Sequence, residues 1–245
     1  MIFKHQHCYF FWKPPEIAST RGKQQSFLDI AFEWSDTTTN KNLDLIAEME
    51  WSRTQLDQHT QQIFLDVMQG SEIEQVEDVQ IVIDELKKMF GHDQEYGLLN
   101  RLDTVTSGLL YFAKTPEIYT SRKHRQSEYK IKKYYLAKTE LPVSSQDISL
   151  PLWHHTNSRK MIVVDEDLLN SKRKQKIKWW HLLPACTSIV KNVNNYNLIH
   201  IHKGWRHQIR AHLAYIWHPI SGEKLYHDSD EKHLQLYSIG CKVWV

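Results

Sequence analysis

Two rhythms of apolar positions run along the chain. Residues 8–12 (CYFFW) form an unbroken apolar run that reads as a strand. Lys13-Pro14-Pro15 ends it, because two successive prolines cannot extend a paired strand. In 25–34, Phe27, Ile30, Ala31 and Trp34 recur at helical spacing. After a polar break at 35–40, residues 41–69 carry a partial helical stripe (Leu45, Met49, Leu56, Ile63, Phe64, Val67, Met68), and Gly70 is a fitting stop. Residues 81–90 predict a short amphipathic helix through Val82, Ile83, Leu86, Met89 and Phe90. From Gly97 onward strands dominate: 109–113, 129–139, 160–165, 186–193, 197–202 and 233–245. A basic helix is expected at 116–128. The strongest helix is expected at 206–217, with Ile209, Leu213 and Ile216 as its stripe and Pro219 just beyond. Many strands with scattered helices give an α+β class rather than repeating βαβ units.

Composition adds little until it is divided. The 245 residues carry 31 Lys+Arg against 29 Asp+Glu, a formal net charge of +2, which alone argues against a dedicated nucleic-acid binder. Residues 1–28 are +3, residues 29–95 are −12 and residues 96–245 are +11. A basic body thus carries an acidic stretch, and the total is a cancellation. The length suits one domain, 1–245, with 36–80 as an acidic, mainly helical insertion. Three cysteines without a CxxC spacing disfavour a disulfide framework and fit a cytoplasmic protein. No apolar run approaches the ~20 residues of a membrane helix.

Asp103 lies in Asn100-Arg101-Leu102-Asp103-Thr104-Val105-Thr106-Ser107-Gly108, a polar loop feeding an apolar strand. A carboxylate there is a candidate nucleophile, base, metal ligand or plain turn-former closed by Thr106 or Ser107. The second focus is Gly204-Trp205-Arg206-His207-Gln208-Ile209-Arg210, where Arg206, His207 and Arg210 lie off the apolar stripe. Arg210 facing Asp103 would keep that carboxylate ionised; the plain alternative is a solvated basic face.

These residues carry a family resemblance. Arg101-Leu102-Asp103-x-x-Thr106-Ser107-Gly108-Leu109-Leu110, then Ala113-Lys114, resembles the central motif of the RluA-type pseudouridine synthases. Lys133-x-Tyr135-Leu136-Ala137 looks like the second motif. His207-Gln208-Ile209-Arg210-x-His212-Leu213-Ala214 with His218-Pro219-Ile220-x-Gly222 is similar to the third, and Lys13-Pro14 to the opening one. Four motifs in order cover most of the chain outside the insertion. The resemblance implies a pseudouridine-synthase-like α+β catalytic domain: a mixed, mainly antiparallel sheet with flanking helices and a cleft. It implies isomerisation of uridine in ribosomal or transfer RNA, without cofactor or metal. Asp103, Tyr135 and Arg210 would be catalytic. Arg101, Thr106, Lys133, His207, Gln208 and Lys13 would hold substrate. Structured RNA is the expected partner, with no membrane, a monomeric protein and no separate N-terminal RNA-binding domain. The basic segments 122–138 and 172–178 suit phosphates.

Departures are Asn100 where the family usually has His, Trp205 and Arg206 where it has Arg-Thr, and the missing glycine after Lys13-Pro14. They motivate the rival reading, a non-catalytic RNA-binding relative. His200-x-His202 and His207…His212 raise a metal site as a lesser alternative.

Overall fold

The computed structural model describes residues 2–20, 26–33, 74–75, 78–154, 157–170 and 181–243. The expected insertion at 36–80 lies outside the described residues except at 74–75 and 78–80, as do the 172–178 basic cluster and the whole of 171–180. Within the chain two compact units are distinguished: 1–128 with Tyr237–Gly240, and Tyr129–Leu236 with 241–245.

In the first unit β2 (Cys8–Lys13) pairs antiparallel with β1 (Ile2–Lys4) on one side and with β4 (Ser107–Ala113) on the other. β3 (Glu74–Gln75) continues the sheet beyond β1, and Tyr237–Ser238 of the last strand, β11 (Leu236–Val243), pairs parallel with Ser107–Gly108. Every residue of β2 and β4 is buried. Both are therefore covered on two faces, which is why their sequences run apolar without alternation. Phe11 anchors the core with its ring against Phe27, Phe32 and Phe112, and Phe32 stacks on Tyr96 at 4.5 Å. α1 (Val79–Met89) begins two residues before the periodic stretch, because the Asp78 carboxylate accepts from the N–H groups of Gln80 and Ile81. Val82, Ile83, Leu86 and Phe90 are buried as the spacing predicts, while Met89 turns out to solvent. The helical spacing at 25–34 produces a π-helical turn, Asp29–Glu33, opened by Ser26, whose hydroxyl and N–H both donate to Asp29. α2 (Pro116–Ser127) starts on the Thr115 hydroxyl and carries proline in its first turn.

In the second unit four strands pair antiparallel in the order β5 (Ile131–Lys138), β10 (Tyr196–Ile201), β9 (Thr187–Val193), β6 (Gln146–Ile148). A small hairpin of β7 (Leu152–His154) and β8 (Met161–Val163) stands apart. α3 (Glu166–Asn170) follows the hairpin, and α4 (Gln208–Tyr215) follows β10. α4 is shorter than the sequence pattern at both ends. His207 adopts a left-handed φ of 53°, so the helix cannot start before Gln208, and Trp217 at φ 64° lies past its end. β4 explains the mixed character of the sheet, being antiparallel to β2 and parallel to β11. Mainly antiparallel strands with flanking helices make this an α+β fold. No helix among the described residues is long and apolar enough to cross a membrane.

Candidate active site

The Asp103 loop is held by side chains that take over backbone pairing. Leu98 still bridges Phe112, and the Leu99 N–H donates to Tyr111 O at 2.8 Å, so the approach runs antiparallel to β4. At Asn100 the side chain replaces the main chain: its Oδ1 accepts from Tyr111 N–H at 2.7 Å and its Nδ2 donates to Leu109 O at 3.1 Å. One residue further the chain is free to leave the sheet. Ser19 does the same for Leu102, its hydroxyl accepting from the Leu102 N–H and donating to the Leu102 carbonyl, both at 2.9 Å. The Thr106 N–H then closes a turn on the Asp103 carbonyl at 3.0 Å. Asp103 is left half-buried, while Arg101 beside it is exposed.

Gly108 closes the motif for a steric reason. Its φ is +115°, and a Cβ there would sit 2.3 Å from Ser238 O and 2.4 Å from Ser238 N. Only glycine lets β4 approach β11 this closely. Thr106 is buried on the same stretch.

Lys13, expected at the substrate, has its ammonium engaged within the protein. It is fully buried and its Nζ donates to Pro14 O at 2.8 Å, Ile17 O at 2.7 Å and Thr104 O at 3.0 Å. All three ammonium protons are spent on carbonyls, which ties the turn after β2 to the loop of Asp103. Burial lowers its pKa to about 7, against the opposing pull of the Asp103 and Glu16 charges. Lys13 is thus a buried cation within electrostatic reach of Asp103. Glu16, shortly after Lys13-Pro14, takes a left-handed φ of 64°. The turn keeps a glycine-like conformation without the glycine, at a cost of roughly 1–2 kcal/mol.

The remaining expected residues belong to the second unit. The β5/β10 register sets Tyr135 opposite Ile199 and Tyr134 opposite His200, so the two tyrosines point to opposite faces. Tyr135 is buried with Lys133 on the inward face, and Tyr134 is half-exposed. A Cβ on Gly204 would lie 3.4 Å from Lys133 Nζ, which places that ammonium beside the approach to α4. Gln208 was expected on substrate, but its amide is committed within the unit. It donates to Cys186 O at 2.9 Å and Thr187 Oγ1 at 3.3 Å, and accepts from the Trp205 N–H at 3.2 Å. Trp205 packs against the Leu152, Met161, Ala211 cluster and donates its indole N–H to Pro184 O at 2.8 Å. This departure from the family pattern is a packing residue, as Asn100 is a pairing residue.

Arg210 has a partner that sequence reasoning missed. Its Nε donates to Glu223 Oε2 at 2.6 Å and its Nη2 to Oε1 at 2.8 Å, a two-point pair with Glu223 fully buried. Glu223 Oε1 also accepts from the N–H groups of Leu225 and Tyr226 at 2.7 and 3.2 Å. Burial works to raise the Glu223 pKa, but the Arg210 bonds and charge and the two N–H groups outweigh it, so the net shift is downward. The available signal was Gly222-Glu223 after Pro219: Gly222 has φ +81° and a Cβ there would meet His233 O at 2.0 Å. A positioned glycine next to a carboxylate marks a turn that aims a side chain.

His207 is half-buried at the left-handed start of α4, with Nδ1 3.2 Å from the Tyr226 hydroxyl. Burial first, then the charges of Arg210, Arg206 and Arg159, lower its pKa to about 4, so it is neutral near pH 7. His212 is fully buried, its Nδ1 2.8 Å from Thr187 Oγ1 and its Nε2 3.0 Å from Leu150 O. Both ring nitrogens are committed to fastening α4 to β9 and to the segment before β7. Among the described residues no group of three His, Cys, Asp or Glu stands close enough to hold a metal ion.

His212 makes acid stability testable. Its pKa falls from 6.5 to about 4 on burial. Between those values the unfolded chain binds more protons than the folded one, so stability is lost as pH falls through that window. A shift of this size is worth about 3 kcal/mol. The urea midpoint of the wild type is expected to fall from neutral pH to the acidic end of that window, and that of His212→Gln to fall measurably less. Equal slopes in the two proteins would exclude His212 as the source.

Comparison with known proteins gives the decisive observation. The RNA pseudouridylate synthase family matches residues 9–215. The chain belongs to that family. It is 30% identical over 140 residues to an uncharacterised RNA pseudouridine synthase of Helicobacter pylori, covering 56% of this chain and 41% of the relative. It is 29% identical over 153 residues to a ribosomal large subunit pseudouridine synthase C of Buchnera aphidicola, covering 61% of this chain and 46% of the relative. The matched part thus spans under half the length of these relatives. Among solved structures, human RNA pseudouridylate synthase domain containing 4 is similar over 96% of this chain and 80% of its own, at 16% identity and a TM-score of 0.51. The RluA-type resemblance read from four motifs and the fold class expected from it both hold.

Proposed function

We propose that this protein is an RNA pseudouridine synthase, an isomerase that acts without cofactor on uridines of structured RNA. The observation that carries the reading is the construction at Asp103: a half-buried carboxylate on a loop whose main chain is fixed by Asn100, Ser19 and Lys13. Such preorganisation favours chemistry at a single carboxylate over plain RNA binding. The rival non-catalytic reading drew on Asn100 and Trp205, and it loses that support because both have structural tasks in the fold.

In the proposed reaction the N1–C1′ bond of the uridine breaks, the base turns, and a C5–C1′ bond forms. C5 loses its proton and N1 gains one, so atoms balance and no electrons enter or leave. Asp103 either adds to C1′ or removes the C2′ proton; both require the ionised form. Tyr135 is proposed against the base, assisting loss of the C5 proton. Arg210 is proposed as the guanidinium that keeps the carboxylate charged. Arg101, exposed beside Asp103, suits the space left by an extruded base, whose flipping costs a few kcal/mol. The name of the Buchnera relative favours large-subunit ribosomal RNA over transfer RNA as the substrate. A monomer in the cytoplasm completes the reading.

Mapping pseudouridine in total RNA from cells with and without the gene tests it. At least one uridine, expected in large-subunit ribosomal RNA, should lose its modification when the gene is removed and regain it when the gene is restored. An unchanged map would overturn the assignment.

A further inference from the structure

The β7–β8 hairpin brings a second set of cations onto the start of α4. Arg206 Nη2 donates to the Arg159 carbonyl, and Arg206 Nη1 lies 3.4 Å from His154 Nε2. Lys160 follows Arg159, its ammonium 5.9 Å from the Tyr226 ring centre, and the Arg210 guanidinium is 5.8 Å from the same centre. Three arginines and a lysine therefore gather around one tyrosine and His207. Among the described residues, the carboxylate within electrostatic reach of His207 is Glu223, and it is already bound at two points by Arg210. Like charges held this close repel unless an anion joins them.

The contacts at Tyr226 bear on which nitrogen of His207 carries the proton. The Tyr226 oxygen accepts from the Met161 N–H at 2.7 Å. His207 Nδ1 lies 3.2 Å from the same oxygen, within reach of its proton. A neutral imidazole that accepts at Nδ1 must carry its hydrogen on Nε2. Nε2 takes no hydrogen-bond partner among the described residues, so that position is open to a ligand.

We propose that Arg159, Arg206 and His207 form a phosphate-binding corner of the second unit, in which Tyr226 holds His207 with its Nε2–H as a donor to a phosphodiester oxygen of bound RNA. The two guanidiniums supply charge and the imidazole supplies direction. Tyr226 is a positioning residue that acts only through His207. This corner rests on the RNA reading above but adds a contact separate from the chemistry at Asp103.

Poly(U) is the probe, because its binding needs no cognate site. The logarithm of the binding constant is measured against the logarithm of salt concentration for the wild type and for Arg159→Gln/Arg206→Gln. Each single-strand phosphate contact contributes about 0.7 to that slope, so the double variant is expected to lose roughly 1.4. Arg159 and Arg206 are both exposed, so the urea midpoint should stay unchanged. In nitrogen-15 spectra the His207 ring should show the Nε2–H form and shift on addition of poly(U), and Tyr226→Phe should abolish the preference for that form. A wild type that binds poly(U) with the usual salt slope and a double variant with the same slope would overturn the corner alone. A wild type that does not bind poly(U) would overturn the RNA reading itself. A His207 signal that responds to inorganic phosphate but not to poly(U) would make this a small-anion site and refute the RNA contact.

Discussion

Asp103→Asn is expected to reduce pseudouridine formation at least about 10⁴-fold while leaving RNA affinity within a few-fold of the wild type. The substitution keeps shape and removes charge. A neutral amide neither adds to C1′ nor takes the C2′ proton. The loop should survive, because the hydrogen bonds that anchor it are made by other groups. Asn100 bonds β4, Ser19 bonds Leu102, Lys13 bonds Thr104 O, and the turn is closed by the Asp103 carbonyl. Folding is checked by urea unfolding, binding by titration with RNA, and turnover by release of tritium from RNA labelled at uridine C5, since that hydrogen must leave. Asp103→Glu separates charge from position. It restores the carboxylate but displaces it by one methylene, and a site preorganised this tightly should recover little activity. Undiminished turnover in Asp103→Asn would sink the role of Asp103.

The same loop shows what the sequence made legible and what it did not. The motifs made the family legible, and with it Asp103 as the candidate carboxylate, because short, ordered patterns survive as strings. The strand at 109–113 and the alternation that separates Tyr134 from Tyr135 were legible because burial on one or two faces writes itself directly into polarity. The positions of Lys13 and Gln208 were not. Both are polar residues expected at the substrate, and each is buried with an acceptor from a distant segment: Thr104 lies 91 residues from Lys13, and Cys186 lies 22 from Gln208. A buried donor finds its acceptors only after tertiary folding, and no local pattern records them. Asn100 and Trp205 were legible as departures, but not as the pairing and packing residues they are. The charge partition located the acidic surplus in 29–95, while most of that stretch lies outside the described residues.

Glu223 supports the second large prediction. Arg210 is 6% exposed and Glu223 is 0% exposed, so neither charge has ready access to water. Breaking one side of such a pair costs more than the pair contributes, because the surviving charge keeps its desolvation penalty. Glu223→Gln is therefore expected to destabilise the protein by about 3–5 kcal/mol, read from urea unfolding. The pair also sets an acid limit. Because the net shift of the Glu223 pKa is downward from 4.5, its stabilisation is fully present above that value and is lost as pH falls through the lower folded value. In Glu223→Gln this part of the acid loss should vanish. The double variant Arg210→Met/Glu223→Met removes both charges. It should recover much of the lost stability, yet remain inactive if Arg210 acts on the chemistry. Recovery of both stability and turnover would make the pair purely structural and withdraw Arg210 from the proposed catalytic set. A Glu223→Gln protein as stable as the wild type would mean that the buried carboxylate is not what compensates Arg210.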